Sequence, residues 1–87
     1  MRTIEKTIRL SAHAASYIPK RGFTVEEVEE TIRTSEWEPA ELRRVQSKKN
    51  FPFHNLWNGH YYETKQVHPI FVEEDEIIVI TVLTYYF

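Results

Sequence analysis

The sequence predicts an α+β domain, in which an N-terminal strand and two helices pack on a C-terminal antiparallel sheet of three to four strands. Three observations lead to this class. A helix-capping pattern stands at residues 24–27, an Asn-Gly pair separates two aromatic runs, and residues 77–87 are apolar apart from two threonines. Because 41% of the 87 residues are hydrophobic, residues 1–87 are expected to form a single domain with its own core.

The beginning of the chain predicts a strand and a short helix. Residues 3–10 alternate loosely between apolar and polar side chains, which is the pattern of a strand with one buried face. Ser11 is a suitable N-cap for an alanine-rich helix from residue 12 to about residue 18. Pro19 and then Gly22 oppose the continuation of this helix.

The second helix has the clearest start in the sequence. A capping box is predicted, in which the Thr24 hydroxyl accepts from the third following amide and Glu27 reaches back to the Thr24 amide. Val25, Val28 and Ile32 follow at helical spacing. Glutamates occupy the remaining face, which indicates a solvated surface near the positive end of the helix dipole.

The second half of the chain predicts β-structure. Residues 42–46 are a candidate short strand within a polar connection. Asn58-Gly59 lies between the aromatic runs 51–57 and 60–67 and predicts a hairpin, because both turn positions favour a positive φ. Residues 77–87 are rich in β-branched side chains and predict a central strand that helices cover on at least one side.

Two prolines limit the hydrogen bonding of the predicted hairpin strands. Proline lacks an amide proton and cannot donate to a ladder. Pro52 is therefore expected to confine the first run to a sheet edge or a bulge, and Pro69 to interrupt the second run in the same way.

Charge is segregated along a chain whose formal net charge is only −2. Residues 22–40 carry six glutamates against one arginine, whereas residues 41–68 carry five lysines and arginines against two glutamates. The second of these segments also holds three of the four histidines. A nearly neutral chain can therefore present a basic face to an anionic ligand.

Several functional classes lack support in the sequence. There is no cysteine, the four histidines are not spaced i, i+4, and no glycine-rich phosphate loop exists, so we predict neither a metal site nor a cofactor. The serines lack the elbow motif of a Ser-His-Asp hydrolase. No stretch approaches the roughly 18 apolar residues that cross a bilayer, so we expect a cytoplasmic protein without a membrane partner.

The remaining chemistry-bearing groups are cations, imidazoles and aromatic rings. Metal-free cleavage of RNA needs a proton acceptor, a proton donor and fixed cations around the phosphate, which these side chains can supply. Strand alternation places Lys65 and His68 on opposite faces of one strand, and an aromatic such as Tyr62 can stack an unpaired base. His13 lies in the first turn of the first predicted helix, and its side chain has two alternative roles, packing in the core or catalysis.

Several segments carry a resemblance to a known family. They are Leu10-Ser-Ala-His13-Ala, Lys20-Arg21-Gly22-Phe23-Thr24, Lys49-Asn-Phe-Pro-Phe53, Trp57-Asn-Gly59, Tyr61-Tyr62, Thr64-Lys65, Pro69-Ile-Phe71 and the strand at residues 78–82. Together they resemble a family of small bacterial domains of unknown function that is related to the RelE-like and BrnT-like toxins. The resemblance extends over nearly the whole chain. His13 and Arg21 match the family's first-helix motif, Lys65 matches a basic position on the sheet, and Arg44 matches another.

The resemblance implies a barnase/RelE-like fold and a toxin of a type II toxin-antitoxin system, an endoribonuclease inhibited by a small antitoxin protein. We predict that it cleaves RNA without metal by 2′-hydroxyl attack. Lys65 and Arg44 would stabilise the phosphate, and His13 or His68 would transfer protons, with all four side chains in one pocket. The predicted substrate contacts are Arg21, Lys49 and Tyr62. The alternative is a non-catalytic protein- or RNA-binding module on the same fold, and a homodimer is left open.

Overall fold

Three short helices cover one face of a six-stranded mixed sheet in the computed structural model, which describes residues 6–87. The elements in chain order are β1 Ile8–Leu10, α1 Ala12–Ser16, α2 Ile18–Arg21, α3 Val25–Thr34, β2 Glu38–Pro39, a 3-10 turn Glu41–Arg43, β3 Val45–Gln46, β4 Lys49–Trp57, β5 His60–Glu73 and β6 Ile77–Tyr86. The α+β class is confirmed. Residues 3–5 of the predicted first strand lie outside the described residues.

The sheet is larger than predicted and is not purely antiparallel. Its order is β1-β6-β5-β3-β2, and β4 also pairs with β5. β1 runs parallel to β6, whereas every other described pair is antiparallel. β5 has 14 residues, so one of its edges holds two partners in turn, β4 along its first half and β3 beyond. The candidate strand at residues 42–46 is present as β3 over Val45–Gln46, whereas β2 was not predicted because its two residues carry no period.

The helices begin where the sequence predicts but divide differently. The Ser11 hydroxyl accepts from the Ala14 amide at 3.1 Å, which confirms the cap of α1. The predicted single helix is split, because α1 ends at Ser16 and Pro19 stands in the first turn of α2. Proline is tolerated there because first-turn amides have no partner within the helix. Both bonds of the predicted capping box of α3 are formed.

The core lies between the helices and one face of the sheet. Its buried apolar residues are Ile8, Ala14, Phe23, Val28, Ile32, Val67, Phe71, Ile77, Val79 and Val82. Along β5 the buried residues alternate with the half-buried residues Gln66, His68, Ile70 and Val72. Because successive strand side chains point to opposite faces, these four define the face turned away from the helices, called the open face below.

The hairpin and the Pro52 edge are confirmed. Asn58 and Gly59 have φ values of 52° and 82°, and Trp57 pairs with His60 across the turn. Pro52 lies in β4, which pairs with β5 on one side, and the register shifts directly after Pro52. The central position of β6 is also confirmed, since it lies between β1 and β5.

The predicted interruption at Pro69 is wrong, because β5 continues through it to Glu73. The Pro69 carbonyl accepts from the Ser47 amide at 3.2 Å, and the nitrogen of a strand residue lies on the same side as its carbonyl. The pairs of β3 and β4 with β5 share one register, which places Ser47 opposite Pro69. The missing amide proton therefore removes one bond of this ladder at the boundary between β3 and β4, while β5 itself continues.

Candidate functional site

A cleft of about 610 Å³ lies on the open face, between the β2–β3 loop and the inner parts of β5 and β6. Its lining residues are Pro39, Ala40, Glu41, Leu42, Arg44, Gln46, His68, Ile70 and Leu83. The volume lies within the roughly 300–1,000 Å³ that is usual for ligand sites. Of the seven side chains predicted to be functional, the cleft brings together two, Arg44 and His68.

His68 is held in this cleft by a side chain that sequence reasoning did not select. Its Nε2 lies 2.8 Å from Oε1 of Gln46, and the Gln46 amide nitrogen donates to the Pro39 carbonyl at 3.1 Å. Burial lowers the pKa of His68, the positive charge of Lys48 lowers it further, and Glu38 opposes both. The imidazole is therefore neutral near pH 7, the form that can accept a proton.

The loop between β2 and β3 forms the rim of the cleft. It is closed by a hydrogen bond from the Ala40 amide to the Arg44 carbonyl at 2.8 Å. Leu42 and Arg43 adopt positive φ values of 58° and 61°, a conformation that costs about 1–2 kcal/mol per non-glycine residue. Leu42 is 79% exposed. The turn thus holds an apolar side chain in solvent at the mouth of the cleft.

Charges of both signs surround the cleft. Arg43 and Arg44 in the rim and Lys48 beside His68 are positive, whereas Glu38 and Glu41 are negative. The described residues contain no group of three or more His, Asp or Glu side chains arranged to hold a metal ion.

Lys65 does not reach the cleft, because it belongs to the helix-covered face of β5. Its side chain is 8% exposed, and its ammonium lies 2.8 Å from Oε2 of Glu27 and donates to the Gly22 carbonyl at 2.9 Å. The ring of Phe53 lies 5.5 Å from the same nitrogen. The structure therefore uses Lys65 to tie α3 and the α2–α3 connection to the sheet. The single pocket predicted for Lys65, Arg44, His13 and His68 is not formed.

Arg21 caps an open stretch of the β6 edge. Its Nη1 donates to the Val82 carbonyl at 2.8 Å, and its guanidinium lies 4.0 Å from the centre of the Tyr17 ring. Its own carbonyl accepts from the hydroxyls of Thr84 and Tyr86, both at 2.7 Å. Arg21 thus satisfies the Val82 carbonyl, a backbone group that the short β1 leaves unpaired.

Tyr62 belongs to an aromatic cluster near the end of α2. Its ring lies 5.7 Å from that of Tyr86, on which Trp57 stacks at 4.9 Å. Burial, with the negative charge of Glu27 as a second cause, raises the pKa of Tyr86 and keeps its hydroxyl protonated. The predicted base stacking by Tyr62 stays a prediction.

His13 and Lys49 lie apart from the cleft lining. His13 is exposed on α1, where its ring meets the Tyr17 ring edge-on at 4.9 Å. The Lys49 ammonium lies 2.8 Å from Oε2 of Glu30 and donates to the Thr34 hydroxyl at 2.9 Å. Their predicted contacts with RNA are not tested by these positions.

Comparisons with known proteins add no further constraint. No family profile, curated protein or solved structure matches the chain. Among residues 6–87, no helix has the length and apolar character needed to cross a bilayer.

Proposed function

We propose that the open-face cleft binds RNA and that the protein is a metal-independent endoribonuclease of the toxin type. The observation that carries this proposal is that His68, whose lowered pKa favours a neutral imidazole, lines the same cleft as Arg44. General-base catalysis requires the neutral form, and an adjacent cation can stabilise the charge that develops on a phosphate. Leu42, Ile70 and Leu83 supply the apolar surface against which an unpaired base would pack.

The proposed reaction is attack of a ribose 2′-oxygen on the neighbouring phosphorus. His68 takes the proton of the 2′-hydroxyl, the 2′-oxygen to phosphorus bond forms, and the phosphorus to 5′-oxygen bond breaks. The leaving 5′-oxygen takes a proton from solvent. Arg44 stabilises the additional negative charge on the phosphate oxygens. The products are a 2′,3′-cyclic phosphate and a 5′-hydroxyl.

Within this proposal the chain has the barnase/RelE-like fold suggested by its resemblance to that toxin family. A small antitoxin protein is then the physiological inhibitor, and the cytoplasm is the place of action. Supporting features are the single α+β domain and the sheet face that the helices leave accessible.

A non-catalytic RNA-binding module is the second candidate. It is favoured by the commitment of Lys65 to Glu27 and Gly22 and by the position of His13 outside the cleft lining. These positions leave one imidazole and one arginine in the cleft, enough to hold a phosphate but without an assigned proton donor.

Matched variants separate the two candidates. His68→Asn removes the proposed base, and His60→Asn makes the same change at an exposed position of the same strand. Arg44→Gln removes the proposed phosphate contact, and Arg43→Gln is its neighbour control. Cleavage is followed on gels with labelled single-stranded RNA in the presence of EDTA, and affinity is followed by fluorescence anisotropy.

Three results are informative. Cleavage that survives His60→Asn and falls at least about 100-fold in His68→Asn supports the nuclease, since general-base catalysis contributes about 10²–10⁴-fold. Binding without cleavage that weakens in Arg44→Gln but not in Arg43→Gln supports the module. Absence of both binding and cleavage in the wild-type protein rejects both candidates.

A further inference from the structure

The amide of Gln46 hydrogen-bonds at both ends, and this fixes its orientation. On one side stands the Pro39 carbonyl, 3.1 Å from the amide nitrogen, and on the other stands Nε2 of His68, 2.8 Å from the amide oxygen. A carbonyl oxygen can only accept a hydrogen bond. The NH₂ group of Gln46 must therefore face Pro39, and its oxygen must face His68.

The orientation of Gln46 determines which ring nitrogen of His68 carries the hydrogen. An amide oxygen also only accepts, so His68 Nε2 must carry the hydrogen of this bond. A neutral imidazole carries one hydrogen on its two ring nitrogens. The lone pair of neutral His68 therefore resides on Nδ1.

We propose that Gln46 is a positioning residue that holds His68 in the Nε2–H tautomer and leaves Nδ1 as the atom that accepts a proton. The role of Nδ1 as the base rests on the proposed function, whereas the tautomer does not. Protonation at Nδ1 leaves the bond from Nε2 to Gln46 intact. The ring can thus gain and lose a proton without turning, which keeps a base in one orientation through a reaction.

The charged groups around His68 act on its protonation but do not replace this bond. Lys48 disfavours the imidazolium, Glu38 favours it, and Arg44 and Glu41 line the same cleft with opposite charges. None of these four forms the described hydrogen bond to Nε2, which Gln46 makes. Removing Gln46 should therefore change the tautomer as well as the pKa.

The test is a two-dimensional ¹⁵N–¹H spectrum of the histidine rings in uniformly labelled protein, recorded over a pH titration without RNA. In the wild-type protein above the pKa of His68, Nε2 should show the shift of a protonated ring nitrogen and Nδ1 that of an unprotonated one. Gln46→Leu should move both shifts toward the averaged values of mixed tautomers. Gln46→Glu should raise the pKa of His68 by about one unit or more, because a carboxylate replaces the amide oxygen.

Gln66→Leu is the matched control. Gln66 is also on the open face, and its amide nitrogen donates to Oδ1 of Asn50 at 2.9 Å. This variant should leave the His68 shifts and pKa unchanged. If Gln46→Leu does not fold, the tautomer of His68 in the wild-type protein and the pKa of His68 in Gln46→Glu still test the proposed role of Gln46.

Two results would overturn the inference: an Nδ1–H tautomer in the wild-type protein, or Gln46 variants whose His68 shifts and pKa equal those of the wild type. The expected tautomer in a protein that neither cleaves nor binds RNA would reject only the proposed function. RNA cleavage by a protein with the Nδ1–H tautomer would reject only this inference.

Discussion

Lys65→Met tests the structural role of the buried Lys65. Methionine retains most of the apolar stem but removes the ammonium, which leaves the Glu27 carboxylate without its partner at 2.8 Å and the Gly22 carbonyl without its donor at 2.9 Å. Exposed ion pairs contribute about 0–1 kcal/mol, whereas losing one partner of a buried pair costs about 3–5 kcal/mol. The two side chains are 8% and 20% exposed, so we expect a loss of about 2–4 kcal/mol in the free energy of unfolding.

The matched control is Lys49→Met. Lys49 pairs with Glu30 at the same 2.8 Å and also bonds a threonine hydroxyl, but these side chains are 31% and 52% exposed. We expect a loss below about 1 kcal/mol there. The assay is urea unfolding at fixed pH, with thermal melts as a second measure, since each kcal/mol lowers Tm by about 4–8 °C in a domain of this size.

A double-mutant cycle isolates the pair. Glu27→Gln retains a side-chain oxygen that can accept from the Thr24 amide while it removes the charge, so the coupling between Lys65→Met and Glu27→Gln should be about 1–2 kcal/mol. Equal, small losses in Lys65→Met and Lys49→Met, or a coupling near zero, would refute the argument from burial. Lys65→Met should also retain the RNA affinity of the wild-type protein in its folded fraction, because Lys65 does not line the cleft.

Three further predictions concern pH, a glycine and salt. The folded pKa of His68 lies below its unfolded value, so the free energy of unfolding should fall as pH drops below about 6.5. Unfolding measured at pH 7.5 and 5.5 should show a smaller fall in His68→Asn than in the wild-type protein, and an equal fall would contradict the assignment of this pH dependence to His68. Gly22→Ala should lower the free energy of unfolding in urea by about 2–4 kcal/mol, because φ is +76° and the new Cβ meets the Tyr86 hydroxyl and lies 2.7 Å from a Trp57 ring carbon. Gly59→Ala, with φ +82° but open space around the new Cβ, should lower it by about 1–2 kcal/mol, and equal losses would exclude the clash at Gly22. If one or two cations contact phosphate, log affinity for single-stranded RNA should fall with log salt at a slope of about −0.7 to −1.4 in anisotropy titrations; a slope near −4 would require a larger basic surface.

The parts of the fold that the sequence predicted correctly are those encoded by neighbouring residues. The capping box needs only Thr24 and Glu27, and the hairpin turn needs only Asn58 and Gly59, because each uses hydrogen bonds or dihedral angles within four residues. Pro69 was misjudged because its effect depends on what lies across the sheet. Its cross-strand neighbour Ser47, at the boundary between β3 and β4, lies 22 positions away in the chain.

The site was predictable in part for the same reason. Strand alternation separated Lys65 from His68, so the expectation of one pocket for both was in conflict with the pattern along β5. Which of the two faces is buried depends on where α3 packs, and this is a tertiary property. Gln46 belongs to no motif and meets His68 across 22 positions of sequence, so no local signal identifies it.

The charge segregation of the sequence has its explanation in the fold. Residues 1–21 and 41–68 are the basic segments of the chain, and residues 22–40 and 69–87 are the acidic ones. The four described ion pairs each join a basic segment to an acidic one: Lys6–Glu73, Arg9–Glu76, Lys49–Glu30 and Lys65–Glu27. The first two connect the β1 region to the turn before β6, and the last two connect β4 and β5 to α3. The charge segregation thus places the partners of Lys6, Arg9, Lys49 and Lys65 on sequence-distant elements, and these four cations are engaged within the protein. Arg44 takes part in none of these pairs, and an anionic ligand is therefore expected at the cleft that Arg44 lines and not over the basic segment as a whole.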